Sequence, residues 1–140
     1  MGFSYTDRMN ENTVANWISL AEYDLATADS MLSAARYLYV AFTCQQAIEK
    51  VLKAYYVYRY GKTPPYTHNL NKLAEETGLA EAMSEKQISF LDSLNAYYIQ
   101  SRYTEEIQTL SVSFTHERAV ALIAEMKEVY QWLRSKIAIR

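Results

Sequence analysis

Apolar residues along this chain return at three- and four-residue steps rather than at every second position, the pattern of helices that turn one face to a core. Val14, Trp17, Ile18, Ala21, Leu25, Ala28, Met31 and Leu32 form the first such stripe. Asn12 or Thr13 precedes it, and either can accept a bond from a first-turn amide, so the first long helix is expected to begin there. Glu22 and Asp24 fall on or beside its polar border. A second helix is read from about Tyr37 to Tyr60, stopped by Gly61, which suits the left-handed position after a helix. Lys62-Thr63-Pro64-Pro65 cannot extend it, because two prolines remove amide donors and fix the backbone.

Thr67 is then the expected cap of a short helix with Leu70, Leu73 and Ala74 inward, ended by Gly78. Ser84-Glu85-Lys86-Gln87 has the form of a capping box and opens a fourth helix, with Ile88, Leu91, Leu94, Asn95 and Tyr98 inward. Residues 103–114 read as a polar connection. Thr115 follows as the cap of a last helix facing inward through Val120, Ile123, Met126, Val129, Tyr130, Leu133 and Ile137. Alternation is weak and no Asn-Gly or Asp-Gly turn occurs, so no strand is expected. The predicted fold is all-α: an antiparallel up-and-down four-helix bundle with an additional short helix, one domain over residues 1–140 with its core at about 13–137.

Composition supports this reading. With 3 Gly and 2 Pro in 140 residues, long helices joined by short connections are the natural outcome. A formal net charge of -2 supplies no global attraction to nucleic acid, so any such contact must come from a local cluster. The 13 Tyr offer rings that suit wet interfaces as well as core edges. Cys44 stands alone, which excludes an intrachain disulfide and fits a reducing compartment; among Ala41, Phe42 and Ile48 it reads as a buried, inert thiol. No apolar run approaches the roughly 20 residues that span a bilayer. MGFSYTDRMNEN lacks the layout of a signal peptide, although Gly2 and Thr6 fit the loose myristoylation pattern. A cytoplasmic location is expected.

Within the second helix, Gln46, Glu49, Lys50 and Lys53 fall at i, i+3, i+4 and i+7 and so share a face. Taken alone, that is a solvated stripe with Glu49 and Lys53 as a helix-supporting pair. A binding role needs other groups on the same face, and two segments offer them. Tyr66-Thr67-His68-Asn69-Leu70 opens the short helix, where amides and the dipole favour an anion and His68 adds a titrating ring. In Tyr97-Tyr98-Ile99-Gln100-Ser101-Arg102-Tyr103, Arg102 can either serve the helix end or grip a phosphate, with Tyr98 and Tyr103 as stacking surfaces. There is no P-loop, no Gly-rich dinucleotide loop, no HExxH and no zinc spacing; His68 and His116 are the sole histidines.

Taken in order, these segments resemble the HEPN domain family: Ala21-x-x-Asp24-Leu25-x-x-Ala28, then Tyr39-x-x-Phe42-x-x-x-Gln46-Ala47-x-Glu49-Lys50-x-x-Lys53-Ala54, Pro65-x-Thr67-His68-x-Leu70-x-x-Leu73, and Tyr98-x-x-x-Arg102-Tyr103. The resemblance spans about residues 14 to 135. It implies a helical bundle that pairs as a homodimer, binds nucleotides or RNA, and works without a cofactor in toxin–antitoxin, defence or RNA-processing systems. Small stand-alone members stand beside a minimal nucleotidyltransferase partner. Many members are metal-independent ribonucleases that carry Arg followed, after a gap of four to six residues, by His. Here the corresponding positions after Arg102 are Ile107, Gln108 and Thr109, and no histidine follows until His116.

The expectation is therefore a non-catalytic module that binds a nucleotide or RNA phosphate. Lys50 and Lys53 serve as point charges, Arg102 as a fork, and His68 as the group at an anion-favouring helix start. Tyr98 and Tyr103 stack, and Gln46 and Glu49 orient the cations. The alternatives are a ribonuclease using His68 and Arg102, and a purely structural dimerisation module.

Overall fold

The computed structural model describes residues 4–100 and 114–139. Arg102, Tyr103 and most of the connection read at 103–114 lie outside the described residues.

Helix α1 runs Tyr5–Ser33 and begins earlier than its core stripe suggests. Ser4 is the cap: its hydroxyl accepts from the Asp7 amide at 3.1 Å, and the Asp7 carboxylate accepts from the Ser4 amide at 3.2 Å. The expected cap Thr13 sits mid-helix, where its hydroxyl donates to the Met9 carbonyl at 2.9 Å. Helix α2 spans Tyr37–Tyr60 as read, and Gly61 ends it at φ 65°, its amide donating to the Val57 carbonyl at 2.8 Å.

Helix α3 is Leu70–Thr77, capped by the Asn69 side chain rather than by Thr67. Gly78 at φ 80° closes α3 and leads into a short 3-10 turn, Leu79–Ala82. Helix α4, Glu85–Gln100, opens with the expected box: the Ser84 hydroxyl accepts from the Gln87 amide at 3.1 Å, and Gln87 Oε1 accepts from the Ser84 amide at 2.9 Å. Helix α5, His116–Arg134, is capped by Thr115, whose hydroxyl accepts from the Arg118 amide at 3.2 Å.

Three contacts fix the directions of the long helices. Phe42 stacks on Tyr98 at 5.8 Å, which sets the end of α4 beside the start of α2. Tyr37 meets His116 edge-on at 5.6 Å, so α5 starts near the start of α2. Lys127 reaches Asp29, and three residues later the Tyr130 hydroxyl reaches Glu22, which sets α5 antiparallel to α1. The result is an all-α, up-down-up-down bundle, and no strand occurs among the described residues.

Helix α2 is the hub, packing against α1, α3, α4 and α5. A helix enclosed on all sides must be apolar on all sides. Val40, Ala41, Cys44, Ala47, Ile48, Val51, Leu52, Ala54 and Val57 are buried accordingly. They are joined by Gln45, Glu49 and Lys53, and those three are the anomaly that defines the site below. Elsewhere the inward assignments need three corrections. Val120 is exposed at 43%. Ile137 is buried but lies past the end of α5, in a tail whose carbonyl accepts from Arg134 Nη1 at 2.9 Å. Phe114 is not part of a polar connection; it is buried and packs edge-on against Tyr97 at 5.2 Å.

Candidate functional site

Glu49 sits near the middle of the hub helix and is 4% exposed. A carboxylate this deep is tolerated only when its oxygens are paired and bonded, and here each one is. Lys53 Nζ, one turn on, donates to Oε2 at 3.1 Å, and Gln45 Nε2, one turn back, donates to Oε1 at 3.1 Å. His68 Nδ1 lies 2.9 Å from Oε1. A carboxylate only accepts, so the hydrogen of this bond belongs to Nδ1 and the neutral ring keeps its lone pair on Nε2. The same ring is 42% exposed in its side chain, against 5% for Glu49. An internal carboxylate thus orients an imidazole that is itself partly exposed to solvent.

Gln45 is fully buried and commits both amide hydrogens to this arrangement, one to Glu49 and one to the His68 carbonyl at 2.9 Å. Its own oxygen accepts from Gln46 Nε2 at 2.7 Å. His68 is therefore held at its backbone and at its ring by residues one helical turn apart on α2. The Thr-His turn supplies the rest. Thr67 Oγ1 accepts from the Asn69 amide at 3.2 Å, Asn69 Oδ1 accepts from the Lys72 amide at 3.1 Å, and Leu70 is fully buried.

The start of α3 does not offer an open set of amides to an anion. The Leu70 amide donates to Asn95 Oδ1 of α4 at 2.9 Å, and Asn95 Nδ2 in turn donates to Asn71 Oδ1 at 2.7 Å. The capping groups come from the protein itself.

The two lysines of the stripe part company. Lys50 Nζ binds Asp24 of α1 at 2.6 Å. Lys53 is 7% exposed, pinned between Glu49 and the Trp17 ring, whose centroid is 5.7 Å from Nζ. Both are internal ties between α1 and α2 rather than open phosphate ligands. Among the residues nominated from sequence, Gln46, Glu49, Lys53 and His68 are joined in one network and Lys50 stands in a neighbouring pair. Tyr98 packs against the His68 ring, centroid to centroid at 5.1 Å. Arg102 and Tyr103 lie outside the described residues.

Sequence reasoning passed over Gln45, Asp24, Trp17 and Tyr66 as site residues. Tyr66 is 96% exposed, with its ring 6.1 Å from His68. The imidazole is thus flanked by Tyr66 toward solvent and by Tyr98, itself stacked on Phe42, toward the bundle.

Cys44 has no part in this chemistry. Burial, reinforced by the Asp29 charge and partly opposed by Lys127, pushes its thiol up to about 12. Burial likewise raises the Tyr130 phenol, with the Glu22 charge adding to it. Among the described residues, no group of three His, Cys, Asp or Glu side chains converges as a metal site, and no helix is long and apolar enough to cross a membrane.

Comparison with known proteins agrees with this frame. The crystal structure of TT1696 from Thermus thermophilus shares the fold, with a TM-score of 0.77 over 90% of this chain and 99% of that one, at 20% sequence identity. No curated protein sequence matches the chain. The family model for the HEPN domain matches residues 14–136, a span that takes in the whole network around Glu49. The chain belongs to the HEPN domain family.

Proposed function

We propose that this protein binds a nucleotide or an unpaired RNA base, with its adjoining phosphate or hydroxyl, at His68. One observation carries the reading. A buried carboxylate fixes the ring of His68 through Nδ1, while the side chain is 42% exposed and its ring neighbours those of Tyr66 and Tyr98. A base stacked on an exposed ring such as Tyr66 gains about 1–3 kcal/mol. Nε2 supplies the polar contact, and Arg102, four residues beyond Tyr98 in sequence, supplies a phosphate fork. Lys50 and Lys53 support the site from within rather than touching the ligand.

Titration of the purified protein with ATP and with short RNAs at low and moderate salt tests this. Binding should weaken in His68→Ala and in Tyr66→Ala while helix content stays unchanged. No binding at millimolar ligand, or binding indifferent to both changes, overturns the reading.

The same geometry favours a second reading. An imidazole oriented by a carboxylate is what a general base requires, and Nε2 could take the proton of a ribose 2′-hydroxyl. RNA incubated with the protein in EDTA should then be cut, and cutting should cease in both His68→Ala and Arg102→Ala. Clean protein that leaves RNA intact removes this reading. We propose further that the protein works as a homodimer beside a minimal nucleotidyltransferase in a toxin–antitoxin-like or defence system. That proposal is supported by the family resemblance and by exposed tyrosines such as Tyr23, Tyr39 and Tyr66.

A further inference from the structure

Asp7, Asn10, Glu11 and Val14 fall at i, i+3, i+4 and i+7 of α1 and so share one face of its first turns. Between that face, the end of α2 and the tail after α5 lies a half-open cavity of about 290 Å³. Val14 and Val57, 1% and 3% exposed, form its base, and Ala138 and Ile139 of the tail form a side. The tail is held in place from within the protein. Arg134 donates through Nη1 to the Ile137 carbonyl at 2.9 Å and through Nη2 to the Ile139 carbonyl at 3.4 Å, and Ile137 is buried.

The lining carries acceptors and no cation: no Lys, Arg or His is part of it. Asp7 Oδ2 accepts from the Ser4 amide, which leaves Oδ1 unengaged. Glu11 has no ion-pair or hydrogen-bond partner among the described residues, and the two like charges one turn apart repel. Gly61 ends α2 at the same place, so the negative end of that helix's dipole abuts the cavity. Tyr58, 39% exposed, adds an aromatic surface that attracts cations. Carboxylates at a helix edge are ordinarily just solvated. Here they border an apolar hollow, and that combination calls for a cation with an apolar body.

We propose that the cavity binds an aliphatic diamine. Its methylene stem lies along α1 against Val14, Val57 and Ile139, and its two ammonium groups meet Asp7 and Glu11. The rise between those residues is about 6 Å, which matches a short diamine. The volume stands at the lower end of the roughly 300–1,000 Å³ of small-ligand pockets, so a compact amine fits. A nucleotide does not, because its phosphates would face both carboxylates. The inference goes beyond the proposal at His68 and shares no residue with that site.

Isothermal titration of the full chain with 1,4-diaminobutane at fixed ionic strength tests it, read beside the methyl NMR signals of Val14 and Val57. The diamine should bind saturably and move the methyl signals of both valines. Butylamine, with one ammonium, should bind about tenfold more weakly, and potassium should move neither residue. Glu11→Gln leaves the Ser4 cap intact and should weaken the diamine about tenfold. Ala138→Phe fills the cavity from an exposed position and should abolish binding. Both variants should keep their helix content. His68→Ala should bind the diamine as before, which separates this proposal from the nucleotide reading. No saturable binding at millimolar diamine, equal affinity for butylamine, or binding indifferent to Glu11→Gln overturns the proposal. Binding seen only in Arg140→Ala would make the chain's own arginine the occupant and would overturn it as well.

Discussion

Glu49 and His68 meet across the junction of α2 and the turn before α3, with Oε1 2.9 Å from Nδ1, and the carboxylate is almost wholly buried while the ring is not. The internal partner is thus structural and the external one is available for chemistry.

The two lysines of the stripe should differ in what they contribute to stability. Lys53→Met strips a buried carboxylate of its charge partner, which costs about 3–5 kcal/mol. Lys50→Met removes a pair whose side chains are 21% and 13% exposed, and should cost markedly less, about 1–2 kcal/mol. Urea unfolding midpoints of the two variants give the comparison directly. Equal losses would mean that the burial of Glu49 does not set the energetics of this helix.

Gln45 should behave as the hinge pin of the Thr-His turn. Gln45→Leu fits the apolar surroundings but leaves the His68 carbonyl and the Gln46 amide without their partner, at a cost of about 1–3 kcal/mol. Proteolysis of the segment from Gly61 to Asn69 should accelerate in this variant beyond what its global stability predicts. Unchanged cleavage there would show that Glu49 alone holds the turn.

Ligand affinity should respond weakly to salt. With Lys50 and Lys53 engaged internally, only one phosphate contact remains among the nominated residues, from Arg102. For single strands this gives a slope of log affinity against log salt of about -0.7. A slope steeper than about -3 would mean that a basic surface elsewhere binds the nucleic acid.

Cys44 should resist alkylation in the folded protein at mildly alkaline pH. Its thiol is pushed up to about 12 from an ordinary 9.0, so folding protects the proton. For a group raised in the folded state, the stabilising contribution is complete below about 9 and is lost as pH rises toward 12. Labelling should therefore track unfolding, and Cys44→Ala should flatten the loss of stability on the alkaline side. Rapid labelling of native protein would contradict this placement.

Much of the fold was legible because its signals are local. Gly61, the Ser84–Gln87 box and Thr115 each act through their own backbone neighbourhood, and each stands where it was read. The start of α1 was not legible from its core stripe, because Tyr5 and Met9 lie on the outer face and contribute nothing to that stripe. The site was half legible. Helical spacing puts Glu49, Lys50 and Lys53 on one side of α2, but three residues of helix still rotate a side chain by about 60°, enough to give Lys50 to Asp24 and Lys53 to Glu49. What stands opposite a side chain is tertiary information that spacing does not carry. Gln45 was hidden for a related reason: a glutamine is ordinarily a surface residue, and only the enclosure of α2 on every side turns it inward.

The most direct test of the account is nitrogen NMR of the His68 imidazole, observed while a short unpaired oligoribonucleotide is added. The account predicts a hydrogen-bonded Nδ1 that stays put and an Nε2 resonance that moves in a saturable way. The movement should vanish in Tyr66→Ala and Nδ1 should shift in Glu49→Gln. An Nε2 signal unmoved at millimolar oligonucleotide, with the Glu49 bond intact, would contradict it.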